Sequence, residues 1–158
     1  MTKIYPIMVL WTVLALISCS KEPPSPVVPP ESAFVYTVDG QTYSTTAGIG
    51  FREAVLRGLQ FHNAPIPVTV NGVRYQDYVM AFFSDTGSGQ YTLRSLTLYR
   101  TDERGQAQRF EFLTDVAGTA TQTGAETWSG TFAGKSTNAQ NQVVSTLSNG
   151  TFDHIQLR

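Results

Sequence analysis

The chain has 158 residues, and its 11 lysines and arginines nearly balance 12 aspartates and glutamates scattered along the sequence. That balance excludes the basic footprint of a nucleic-acid binder, and a single cysteine excludes an intrachain disulfide. Apart from a short N-terminal run, no stretch is apolar for long enough to span a bilayer as a helix.

The N-terminal run opens with Lys3 and continues through residues 4–17, broken by Tyr5, Pro6 and Thr12. It has the length of a signal-peptide apolar region and is too short for a spanning helix. It ends at Leu16-Ile17-Ser18-Cys19, an aliphatic residue, two permissive positions and the only cysteine. This tetrapeptide resembles the lipobox of bacterial lipoproteins. The resemblance implies a signal peptide over residues 1–18, cleavage before Cys19, and lipidation of Cys19. A diacylglyceryl group would sit on Sγ and a fatty acyl chain, such as palmitate, on the new amine. One acyl chain holds a protein to a membrane only marginally, whereas two or three hold it firmly. The competing readings are a plain secretory signal with a free cysteine, or an uncleaved helix. Ser20-Lys21-Glu22 resembles a short form of the surface-export signal of Bacteroidota lipoproteins. Residues 19–32 then form a tether, in which five prolines favour extended polyproline II.

From residue 33 to 158 the pattern is that of one β domain. Phe34, Tyr36 and Val38 share a face, Asp39-Gly40 turns, and residues 41–45 return. Residues 48–62 place Phe51, Val55 and Leu59 on a helix face, but the glycines weaken that helix, and a strand over 53–61 is expected instead. After a break at 63–67, residues 68–70 and 73–75 flank an Asn71-Gly72 turn. Residues 78–83 are apolar on both faces, as in a central strand. Residues 85–89 turn. The strand over 90–101 shifts its apolar face between Leu93 and Leu96, which predicts a bulge or a crossing between sheets. Asp102-Glu103-Arg104-Gly105 is a polar turn, and residues 108–113 return with Phe110 and Phe112 inward. Near the end, Trp128-Ser129-Gly130-Thr131-Phe132 is echoed by Leu147-Ser148-Asn149-Gly150-Thr151-Phe152. Two long strands are expected there, over 126–134 and 143–157. Phe152 and the pair Ile155/Leu157 fall on opposite parities, so a bulge is expected at Asn149-Gly150. The sum is an all-β fold, an antiparallel β-sandwich or a meander-like β-barrel of nine or ten strands.

Chemistry-bearing residues are sparse. His62 and His154 are the only histidines, and no ligand cluster with metal spacing accompanies them. No cofactor is implied. Asp153 and His154, as neighbours on a strand, are expected on opposite faces. A Ser-His-Asp triad can assemble in space from distant residues, although no Gly-x-Ser-x-Gly elbow is present. Asp85-Thr86-Gly87-Ser88 resembles the catalytic loop of aspartic peptidases, which implies Asp85 as one of two carboxylates sharing a proton. Ser84 stands where that family has an apolar residue, and no second copy of the motif occurs. The same residues suit a hairpin loop. Asp102-Glu103 reads as a calcium contact or a solvated turn. Tyr75, Tyr78, Tyr91, Tyr99 and Trp128 are candidate ligand or glycan contacts, or else core residues and cross-strand pairs.

The whole layout resembles a family of small Bacteroidota lipoproteins. The matching features are the lipobox, the proline tether, the Val38-Asp39-Gly40-x-x-Tyr43 hairpin and the closing pair of Gly-Thr-Phe segments, the second continuing to Asp153-x-Ile155. The resemblance implies an all-β domain lipid-anchored to the outer membrane, on its periplasmic or cell-surface side, and carries no activity. The function expected is that of a non-enzymatic binding or assembly module with a protein or glycan partner. The alternatives are a calycin-like barrel binding a small apolar ligand, and an aspartic hydrolase using Asp85.

Overall fold

A computed structural model describes residues 33–158 apart from Ser88. The expected signal peptide, the expected lipidation site Cys19 and the expected tether lie outside the described residues. Among those described there are twelve strands and no helix. They are β1 (Ala33–Val38), β2 (Gln41–Thr45), β3 (Gly48–Glu53), β4 (Gly58–Asn63), β5 (Ile66–Val70), β6 (Val73–Asp85), β7 (Tyr91–Asp102), β8 (Ala107–Phe112), β9 (Thr114–Ala117), β10 (Thr119–Gln122), β11 (Thr127–Thr137) and β12 (Val143–Gln156). All join one antiparallel sheet with the path β2-β1-β12-β11-β10-β7-β6-β4-β3, while β5, β8 and β9 pair with β6, β7 and β11. The sheet rolls until β3 meets the end of β12 at a parallel bridge between Gly50 and Leu157. It does not close, and the arrangement is that of a β-sandwich or barrel-like fold, as the sequence leads one to expect.

The local reasons are legible strand by strand. Asp39-Gly40 and Asn71-Gly72 both take positive φ, 49° and 85° in the first and 52° and 79° in the second. Each closes a two-residue hairpin of the type whose twist matches its strands. β6 and β7 pair along most of their length, and Phe82 and Phe83 oppose Ser95 and Leu93, which leaves Arg94 as the extra residue. This is the bulge expected between Leu93 and Leu96, and it keeps both leucines inside.

The echo in the last third is a reciprocal lock. Gly130 pairs with Phe152, Thr131 with Thr151 and Phe132 with Gly150. Each phenylalanine ring therefore lies over the other copy's glycine. A Cβ on Gly130 would come within 2.5 Å of the Phe152 ring, and one on Gly150 within 2.4 Å of the Phe132 ring. The two rings then continue into the core. Phe152 stacks on Phe61 at 4.2 Å and contacts Phe83 and Phe34 at 5.6 and 5.9 Å between ring centroids. Phe34 meets Phe132 at 5.4 Å. The cross-section of the rolled sheet is filled by these fully buried rings.

Three expectations are corrected. Residues 53–61 are not one strand: β3 ends at Glu53, residues 54–57 turn, and β4 begins at Gly58. Val55 and Leu56 project from the hairpin tip, 87% and 61% exposed, and Arg57 sits at a φ of 48°. Their apolar character marks no buried face. The parity change between Phe152 and Ile155 comes from a second bulge, where His154 takes a φ of 53°, in addition to the irregularity with Asn149 at 51°. The strand count rises to twelve partly because β9 and β10 escape the pattern. They are built from Thr, Asp, Val, Ala and Gln, and only Ala120 of the eight residues is fully buried. Period-two hydrophobicity cannot mark strands that bury so little.

Candidate functional site

Alternation along β4 and β6 puts Leu59, Phe61, Val79, Ala81 and Phe83 inside, fully buried. His62 and Tyr78 take the opposite phase and face outward. Tyr99 on β7 pairs directly with Tyr78, and Arg109 on β8 pairs directly with Tyr99. On β3, Phe51 has the same outward phase. The result is a continuous row across five strands on the outside of the sheet. Ring centroids are 5.2 Å apart for Phe51–His62, 5.2 Å for His62–Tyr78 and 6.0 Å for Tyr78–Tyr99. The Arg109 guanidinium stands 5.9 Å over the Tyr99 ring. His62, Tyr78 and Tyr99 are half-buried and Phe51 is 37% exposed.

The middle of the row is fixed by polar contacts. The Tyr78 hydroxyl is hydrogen-bonded to His62 Nδ1. With Nδ1 accepting, the imidazole carries its proton on Nε2, which is buried and without a partner among the described residues. Burial holds the His62 pKa below the ordinary histidine value. Burial, and then the neighbouring Tyr99, raise the phenol of Tyr78. Arg109 pairs with Glu111 at 2.5 Å, with both side chains about half exposed.

Concave surface lies at two sides of the row. One cleft, of about 400 Å³, is lined by Pro67, Thr69, Arg74, Gln76, Thr101 and Glu103 among others. Gln76 and Thr101 are themselves a cross-strand pair, two positions along from Tyr78 and Tyr99 and in the same phase. The other cleft, of about 280 Å³, is lined by Ala47, Ile49, His62, Tyr78 and Arg158.

Beneath this face lies a buried ion pair. Arg100 Nε and Nη2 donate to Asp77 Oδ1 and Oδ2 at 2.8 and 2.7 Å, and the Asp77 side chain is wholly buried. The Asp77 hydrogen bond raises the Arg100 pKa further. Tyr75 and Phe110 flank the guanidinium at 5.8 and 5.9 Å. Asn63 joins the group: its Oδ1 accepts from Val79 N at 2.5 Å, and its Nδ2 donates to Ala64 O at 2.7 Å. Both Asp77 carboxylate oxygens are taken up by Arg100, so the pair positions β6 against β7.

The five aromatic residues singled out from the sequence thus separate into three places. Tyr78 and Tyr99 stand together in the outer row. Tyr75 packs on Arg100 and borders the larger cleft. Tyr91 meets Trp128 edge-on at 5.1 Å, and Trp128 is 3% exposed. Phe51, His62 and Arg109 were not among the candidates. The signal that reaches them is phase: His62 and Arg109 alternate with the inward-facing Phe61 and Phe110, and Phe51 with the buried Gly50.

Asp85 is exposed at the end of β6, where its Oδ1 accepts from Gly87 N of the β6–β7 hairpin loop at 2.7 Å. Asp102 Oδ1 likewise accepts from Arg104 N and Gln106 N at 2.9 and 2.8 Å in its own turn. Asp153 and His154 do not point to opposite faces, because the bulge at His154 brings its Nδ1 within 2.9 Å of Asp153 Oδ2. Ser129 Oγ donates to Asp153 Oδ1 at 2.5 Å and accepts from His154 N at 3.1 Å. The order is serine–aspartate–histidine, with the carboxylate in the middle. A nucleophilic triad needs the imidazole there to take the serine proton. These contacts, the serine hydrogen bond first, hold the Asp153 carboxyl below the usual range and clamp the bulge. Among the described residues, no group of three His, Cys, Asp or Glu converges as a metal site, and no helix is long and apolar enough to cross a membrane.

Comparison with known proteins adds no neighbour: no family model, curated protein or solved structure matches this chain.

Proposed function

We propose that this protein is a lipid-anchored, non-enzymatic binding module of the bacterial outer membrane, akin to small Bacteroidota lipoproteins, and that the outer face of β3, β4, β6, β7 and β8 is its binding surface. The observation that carries the binding role is the row Phe51–His62–Tyr78–Tyr99–Arg109. Aromatic side chains inside a sheet need no explanation beyond the core. A row of them on the outside, held in fixed orientation and flanked by two clefts, is a pre-organised contact surface. The anchor rests on the lipobox ending in Cys19. Two or three acyl chains on that residue would hold the domain to the bilayer, with the tether as spacer. The interior-ligand alternative has less support, because the space such a ligand would occupy is filled by Phe34, Phe61, Phe83, Phe132 and Phe152.

The test is photo-crosslinking in intact cells from a probe residue at position 99, with one at position 144 as control, in wild-type and Cys19→Ser backgrounds. Adducts from position 99 and not 144, and lost in Cys19→Ser together with membrane fractionation, are expected. Equal adducts from both positions would remove the binding face. Normal maturation and membrane retention of Cys19→Ser would remove the anchor.

A further inference from the structure

We infer that the occupant of the outer face is a neutral glycan chain laid across the strands, with pyranose rings on the Phe51–His62–Tyr78–Tyr99 row and hydroxyls in the Gln76/Thr101 cleft. The inference rests on the reading of that face as the binding surface. Three observations narrow the ligand class.

The first is charge. Around the row and its clefts Arg74, Arg109 and Arg158 are set against Asp102, Glu103 and Glu111. The two signs cancel, and Arg109 is already paired with Glu111 at 2.5 Å. A strongly anionic or cationic ligand finds no matching field here, whereas a neutral one meets no repulsion.

The second is the kind of surface. The most exposed apolar side chains, Val55, Leu56 and Leu113 at 87%, 61% and 72%, lie off the row, whose one exposed apolar member is Phe51 at its end. The other three rings of the row are half-buried, and two of them carry hydroxyls. Protein-binding patches concentrate apolar area at their centre. Here four contiguous rings end at the Arg109 guanidinium and lie beside the Gln76 amide and the Thr101 hydroxyl, which suits a ligand with apolar C–H faces and a polar rim.

The third is length. From β3 to β8 the row crosses four strand spacings, roughly 19 Å at about 4.8 Å each. A single sugar covers one ring, so binding energy accrues only along an extended chain.

The experiment uses the full mature chain extracted in mild detergent. Its mobility is measured in native gels cast with neutral polymers (β-glucan, xylan, mannan) and with anionic polygalacturonate, followed by titration with the matching oligosaccharides from two to six units. Retardation by at least one neutral polymer is expected, with affinity rising tenfold or more between the disaccharide and the hexasaccharide. Tyr99→Ala and Tyr78→Ala should weaken it at least tenfold at unchanged melting behaviour. If either variant unfolds, the exposed Gln76→Ala, which should weaken binding severalfold, decides in its place. Retardation by polygalacturonate alone, by none of the polymers, or undiminished in all three variants would overturn the glycan assignment. Position-99 crosslinks that persist in cells after such a result would leave the face a binding surface for another ligand class. Their absence as well would remove the face itself.

Discussion

β4 and β6 carry aromatic side chains on both of their surfaces, and the two surfaces use them differently. Inside, Phe61 and Phe83 are wholly buried and close on Phe152 at 4.2 and 5.6 Å. Outside, in the opposite phase, His62 and Tyr78 form a row with Tyr99 of β7 at similar ring distances but stay half in solvent. Ring contact alone therefore does not distinguish core from site. What differs is the polar chemistry. The buried rings of Phe61 and Phe83 have no polar atom, whereas the outer ones carry hydroxyl or imidazole groups, Tyr78 being bonded to His62. The inner surface should set stability and the outer one recognition.

That division breaks most sharply at Phe152. Its ring contacts three other phenylalanines and covers Gly130. Phe152→Ala should cost about 3–5 kcal/mol, read as a loss of denaturant midpoint at unchanged slope. A loss below about 1 kcal/mol would mean that the rolled sheet does not depend on its central ring.

Asp77 tests the boundary between the two surfaces, because it takes the inner phase yet is charged. Asp77→Ala leaves the Arg100 guanidinium buried without its carboxylate, and should destabilise by about 3–5 kcal/mol. Replacing both members, Asp77→Leu with Arg100→Met, should restore much of that loss. If the double variant is no better than the single one, the pair does more than satisfy itself. The reciprocal lock gives a smaller effect. Gly150→Ala pushes a methyl into the Phe132 ring and should cost about 1–3 kcal/mol, with the same expected of Gly130→Ala against Phe152.

How much of this contrast the sequence carries depends on the residue. Alternation places Phe34, Phe61, Phe83, Phe110 and Phe112 on strands, and the turn dipeptides Asp39-Gly40 and Asn71-Gly72 are read directly because their backbone demands are local. The echoed Gly-Thr-Phe segments are visible as text, but their meaning is a cross-strand register, which no local pattern encodes. Val55 and Leu56 mislead, since an exposed apolar hairpin tip breaks the rule that apolar residues trace a buried face. The outer row is the least legible part. Its members come from five strands and meet only after the sheet has rolled, and His62 by itself looks like any half-buried histidine.

The smallest expected effect sharpens the outer side of the comparison. Burial lowers the His62 pKa in the folded chain, while the unfolded chain keeps the ordinary value near 6.5. Below that value the unfolded state takes up a proton that the folded state resists. The stability that neutral His62 contributes is full above about pH 6.5 and is lost as pH falls toward its folded pKa. Asp153, held below its ordinary 3.8, loses its contribution only in a more acid range. Chemical denaturation repeated from pH 7.5 to 5 should therefore show a gentle loss in wild type, and His62→Phe should flatten it. Tyr78→Phe, which removes the hydroxyl bonded to Nδ1, should change the slope without abolishing it, since burial is the leading cause. A slope identical in wild type and His62→Phe would place the titrating group elsewhere. The row would then be held by packing alone, as the inner rings are.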